Sequence, residues 1–149
     1  MTALNTAKWF IARNRVDYDF GYTDELLTNL KLQKLLYYAQ GCVLAITDAP
    51  LFEEEFEAWE HGPVIPAIYN IYKSNGRQPI NSEEKFDRLS IPAQIDNILE
   101  EVYNEFGQFS AWKLRNMTHE ETPWKSTKKN QIITKSIIKQ YFKENYIQD

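Results

Sequence analysis

A chain of 149 residues with 43% hydrophobic and 14% aromatic side chains can bury a substantial core, and that composition excludes a disordered protein. Its 5 glycines and 6 prolines are too few for the many turns of an all-β fold, so helices are favoured. A formal charge of −4 argues against a phosphate-binding surface as the main business, and nucleic acid is not expected as the partner.

The first helix should start near Thr2 or Asn5 and run to about Asn14, with Leu4, Ala7, Phe10 and Ile11 facing inward. Asp17, Asp19, Gly21 and Thr23 then break the periodicity, which predicts a surface connection. The acids there suggest a calcium loop, but the Gly and Glu positions of an EF-hand are out of register. A solvated acidic loop is the reading that stands.

From Thr28 to Ile46 the chain reads as the central helix of the fold. Leu32, Leu35, Leu36, Ala39, Val43 and Ile46 recur at helical spacing, and Tyr37, Tyr38, Cys42 and Leu44 widen the stripe over most of the girth. Such a helix is buried on several sides. Thr28 is a good N-cap, Gly41 permits close approach of a neighbour, and Lys31 and Lys34 are expected to form a thin polar edge. Cys42, the single cysteine, rules out an internal disulfide and suits a reducing cytosol. No secretory leader opens the sequence, and no apolar run of about 20 residues could span a bilayer. The expected location is cytoplasmic, with no membrane partner.

Phe52 to Trp59 reads as extended or strand-like. A helix is expected to follow with Pro63 in its first turn, burying Ile65, Ile68, Tyr69 and Tyr72 and stopping at Asn75 and Gly76. Residues 77–89 form a polar surface excursion. Ser90 should cap a helix with Pro92 in its first turn, a stripe of Ile95, Ile98, Leu99, Val102 and Phe106, and an end at Gly107. Ser110 should cap a shorter helix anchored by Trp112 and Leu114, before a proline-stopped corner, His119 to Trp124. Thr134 should cap a last helix that uses Ile137, Ile138, Tyr141 and Phe142. The expected fold is mainly α: one domain over 1–149, about six to seven helices around the buried central one, with room for one short strand pair.

Chemistry offers little. No HExxH, CxxC, GxGxxG or GxSxG pattern is present. His61 with Glu57 or Glu60 gives only a loose cluster, short of the three ligands a metal needs, so neither metal nor cofactor is expected. Both histidines, His61 and His119, fall at helix boundaries, where an imidazole commonly satisfies stray backbone groups. No catalytic residues and no enzymatic activity are expected.

Three stretches resemble a known family. KLQKLLYYAQG at Lys31–Gly41, Pro50–Phe52 followed by AWEHGPVIPAIY at Ala58–Tyr69, and Thr118-His119 with Pro123-Trp124 resemble, in order and spacing, the signatures of the Panacea domain of phage-associated proteins and toxin–antitoxin operons. Ile133-Thr134 leads into a matching last helix. The resemblance implies a mainly helical antitoxin that neutralises a toxin encoded beside it by direct binding. One branch of the family resembles an adaptor that delivers its toxin to a protease.

The resemblance also implies that the motif residues Leu32, Leu35, Leu36, Tyr37, Trp59, Gly62, Pro63, Pro123 and Trp124 hold the scaffold. Trp59 and Trp124 would anchor the two proline corners on the central helix. Candidates for partner contact are Lys34 and Tyr38 on the central helix, and His61, Tyr72 and His119 near the corners, with plain core the stronger reading for Tyr38 and Tyr72. Two alternatives to direct binding stand beside it: a proteolytic adaptor, and a phage-borne hydrolase using His61, His119 and nearby acids.

Overall fold

The computed structural model describes residues 1–147. Its elements run α1 (Ala3–Asp19), α2 (Asn29–Thr47), β1 (Phe56–Trp59), β2 (Gly62–Val64), α3 (Pro66–Tyr72), α4 (Ala93–Phe106), α5 (Ala111–His119), α6 (Thr122–Lys125), β3 (Ile132–Ile133) and α7 (Lys135–Asn145). Helix α2 lies in the middle, with α1, α4, α5, α7 and β2 packed around it. Seven helices among the described residues, together with a small sheet ordered β2-β1-β3, make the fold mainly α as expected. The sheet exceeds the anticipated strand pair by one short strand.

Capping chemistry sets the helix starts. The hydroxyls of Thr28, Ser110 and Thr134 accept from the backbone N–H three residues on, at 3.2, 3.0 and 3.3 Å, as the sequence predicts. Thr2 does the same for α1 at 3.0 Å. Helix α2 ends on Asp48 in the left-handed region, and Gly76 (φ +58°) closes the turn after α3.

Four expectations are corrected. Helix α1 continues past Asn14 to Asp19, because the pairs Arg13–Asp17 and Arg15–Asp19 brace its last turns. Pro63 lies in β2 rather than in a helix. Glu60 and His61 make the hairpin turn, Gly62 takes φ +108°, and β2 is an edge strand, where a missing N–H is tolerated. The next helix starts at Pro66 and leaves Tyr69 exposed, its ring edge-on to Trp59 at 5.1 Å. Ser90 does not cap α4. Pro92 forces Ile91 to be extended (φ −121°, ψ 160°), so α4 starts at Ala93 and Ser90 sits in a 3-10 turn.

Trp112 is the fourth correction. It is 55% exposed while Leu114 is fully buried. Two residues apart on a helix point to nearly opposite sides, so both could not anchor the core.

The tightest packing lies between α2 and α7. The Phe142 ring occupies the space beside Gly41, where an added Cβ would come within 2.4 Å of it. Gly41→Ala should therefore destabilise by about 1–3 kcal/mol through overpacking, although alanine is the better helix former by about 1 kcal/mol. Urea unfolding checks this; a variant as stable as the parent would show that Phe142 can move aside.

Candidate functional site

The resembling stretches, far apart in sequence, converge on one corner where the β1–β2 hairpin meets α2, α5 and α6. Lys34 of α2 is the hinge of this arrangement. Its side chain is wholly buried, and Nζ donates to the Pro63 carbonyl at 2.9 Å. Gly62 lies against it so closely that a Cβ there would meet Lys34 Cε and Thr118 Oγ1, each at 2.7 Å. One residue earlier, Gln33 Oε1 accepts from the Ile65 N–H at 2.9 Å. Trp124 Nε1 donates to the Trp59 carbonyl at 2.7 Å, which joins the two proline corners directly.

A second knot lies one helical turn along α2. Tyr37 and Tyr38 donate to the two oxygens of the buried Glu121 carboxylate, at 3.0 and 3.1 Å, and Tyr146 donates to the same group. Burial pushes the Glu121 pKa up while the three phenols draw it back. The same burial and the nearby carboxylate push Tyr37 and Tyr38 well above the ordinary phenol value.

The histidines are held separately. His61 is exposed, and its Nδ1 accepts from Arg115 Nε at 3.0 Å. Arg115 in turn lies over the Trp112 ring, 4.3 Å from its centroid. His119 stacks flat on Trp124 with ring centres 3.9 Å apart, and its buried Nε2 has no partner among the described residues. Burial, reinforced by Arg115, pushes the His119 pKa down. Among the described residues no hydrogen bond joins either ring to a Ser, Thr or Cys side chain, and no group of three or more His, Cys, Asp or Glu could hold a metal.

The scaffold residues named from the sequence mostly lie inside: Leu32, Leu35, Leu36, Tyr37, Gly62, Pro63 and Pro123 are buried, with Trp59 and Trp124 half-buried. Of the candidates for partner contact, Lys34, Tyr38 and Tyr72 are buried, in accord with the core reading of the two tyrosines. Lys34 is consumed by the Pro63 carbonyl, Tyr38 by Glu121 and by Phe106 stacked at 4.0 Å, and Tyr72 packs in the core with its hydroxyl toward Glu84. Of the five candidates only His61 is exposed, while His119 is partly so. Sequence reasoning missed Arg115, Glu121 and Gln33, whose polar side chains complete the corner.

Burial lowers the Lys34 amine from 10.5 to about 7, with Arg115 adding to the shift. Between those values the unfolded chain carries a proton that the folded chain does not, so folding stability rises with pH across that window and falls back as pH drops toward 7. Lys34→Met should abolish this contribution, and the parent-minus-variant difference should grow by up to about 1.4 kcal/mol per pH unit. Urea unfolding at several pH values between 7 and 10 checks it; parallel curves would show an amine that stays charged in the fold.

Residues 32–125 match the family model described as the SocA-like antitoxin, Panacea domain. The chain is also 38% identical over 109 residues to the antitoxin SocA of Caulobacter vibrioides, an alignment covering 66% of this chain and 58% of that protein. The matched part thus spans little more than half of the relative's length. No solved structure matches. The matched residues span Lys34, the hairpin with its Gly62-Pro63, Glu121 and Trp124, and the chain belongs to the SocA-like antitoxin family built on the Panacea domain.

Proposed function

We propose that this chain neutralises a protein toxin by holding it in a stable complex, with no catalytic step of its own. Membership of an antitoxin family supports the antitoxin role. The observation that carries direct binding is where the polar chemistry of the motifs goes. Lys34, Gln33, Tyr37, Tyr38 and Glu121 are all turned inward and hydrogen-bonded to the protein itself. Groups spent in this way brace a frame; they are not presented to a substrate. A braced frame with exposed aromatic side chains is what a binding protein needs, since anchors of that kind dominate interface energies.

The charge of −4 favours a basic toxin. Opposite charge steers the encounter and raises the association rate. The toxin is expected to be encoded beside this chain. Co-expression with the small protein of the neighbouring gene should restore growth, and the two should purify as one complex. Growth restored without association, and only while a host protease is present, would favour the adaptor reading. No rescue with both proteins produced and folded would remove the support for an antitoxin acting by binding.

A further inference from the structure

Among the described residues, exposed aromatic side chains cluster at the end of α1, before the range matched by the family model. The helix closes there on a Schellman motif: Tyr22 N–H bonds to the Asp17 carbonyl at 2.8 Å, Gly21 N–H bonds to the Tyr18 carbonyl at 3.2 Å, and Gly21 takes φ +76°. This closure sets Phe20 and Tyr22 side by side, with ring centres 6.3 Å apart and planes 20° from parallel. They are 72% and 79% exposed. Val16, one turn back from Phe20, is exposed as well.

The ledge borders a groove of about 400 Å³ that has Trp9 and Phe86 among its lining residues. On its other side Tyr22 borders a second groove, of about 490 Å³, next to Glu25 and Leu26. Tyr22 is thus the ridge between two depressions. Large aromatic side chains left in water contribute little to folding, whereas burying them on association is favourable.

The rim is acidic. Residues 13–25 carry Asp17, Asp19, Asp24 and Glu25 against Arg13 and Arg15. Both arginines are engaged with carboxylates, Arg13 with Asp17 and Glu100, and Arg15 with Asp19 and Glu83. Asp24 and Glu25 follow the ledge directly, and both are exposed. Phe20, Tyr22, Asp24 and Glu25 precede residue 32, where the match to the family model begins, whereas Phe86 and Glu100 of the groove fall within it. A surface that reads one chain's own partner is expected in such a part, not in the frame common to the family.

From these observations we infer that the Phe20–Tyr22 ledge is the toxin-reading surface, and that it takes a stretch of the toxin carrying an aliphatic or aromatic anchor flanked by lysine or arginine. The inference rests on direct binding of the toxin. The anchor enters the groove beside Phe20, and the flanking cations face Asp24 and Glu25.

The test is titration calorimetry of the purified chain with the small protein encoded by the neighbouring gene, at low and high salt. Phe20→Ser combined with Tyr22→Ser should weaken binding by at least about 30-fold, with an unchanged melting curve because the side chains are exposed. The conservative pair Phe20→Leu and Tyr22→Phe should keep the parent affinity. Asp24→Lys with Glu25→Lys should weaken binding about tenfold at low salt and flatten its salt dependence. Ile132→Ser, which removes an exposed apolar side chain on β3, should change nothing. A complex formed equally well by the serine pair would overturn the ledge and leave direct binding standing. Failure of the parent itself to bind would overturn direct binding, and the ledge with it.

Discussion

A helix buried on every side must find partners for each of its polar side chains, and the rest of this structure follows from how α2 does so. Leaving one buried donor or acceptor unpaired costs about 1–3 kcal/mol. Helix α2 places Asn29, Gln33, Lys34, Tyr37, Tyr38 and Gln40 inside. Its own backbone is already paired, so these side chains bond to groups on other segments. Gln40 accepts from the Leu51 N–H and donates to the Phe52 carbonyl, both at 2.7 Å. Gln33 serves Ile65, Lys34 serves Pro63, and Asn29 donates to the Tyr69 carbonyl at 3.1 Å. Leu51 and Phe52, strand β2 and the start of α3 are therefore each held by a side chain of α2. The helix acts as a template on which loops are fixed in register.

The same logic joins the C-terminal half to α2 through a single carboxylate. Glu121 precedes α6, and its buried charge has phenolic donors from Tyr37, Tyr38 and Tyr146. Around it Tyr38 stacks on Phe106, while Tyr37 and Phe142 meet edge to face at 5.4 Å. Aromatic rings fill the volume, and their hydroxyls offset the desolvation of the acid. Loss of any one phenol leaves an under-solvated carboxylate in an apolar site, so the three tyrosines and Glu121 behave as a unit rather than as independent contacts.

Much of this was legible in the sequence wherever periodicity or capping chemistry speaks locally. The extent of α2, the caps Thr28, Ser110 and Thr134, and the stop at Gly76 needed no tertiary information. The failures share a cause: a residue's usual preference was overridden by a distant partner. Lysine is almost always exposed, and nothing near Lys34 in sequence announces the Pro63 carbonyl 29 residues away. A Gly-Pro pair reads as a helix start, and only the antiparallel pairing of Ala58 with Pro63 shows otherwise. The end of α1 could have been found, because Arg13–Asp17 and Arg15–Asp19 stand at helical i,i+4 spacing ahead of Gly21. The site was legible only as motifs. Their meeting point, and the roles of Arg115 and Glu121 in it, required the fold.

The mounting of α1 bears on how a surface at its end could serve a partner. Asn14 is buried, and its Oδ1 accepts from the Leu27 N–H at 3.0 Å, so the chain returns to the core immediately after the aromatic turn. Tyr103 of α4 donates to Asp17 at 2.9 Å, while Arg13 bridges Asp17 and Glu100. Trp9, deeper in the same helix, donates to Asp96 at 2.9 Å. These ties hold the end of α1 against α4 and fasten the chain beyond Gly21 to Asn14, so Phe20 and Tyr22 project from a fixed base. An anchor presented in that way loses little conformational freedom on association, which is where preorganised surfaces gain affinity. Exposed residues away from such ties usually change stability by less than about 0.5 kcal/mol when replaced, whereas the buried side chains of α2 are bound to several segments at once. The side chains of the ledge can therefore change without cost to the frame that carries them.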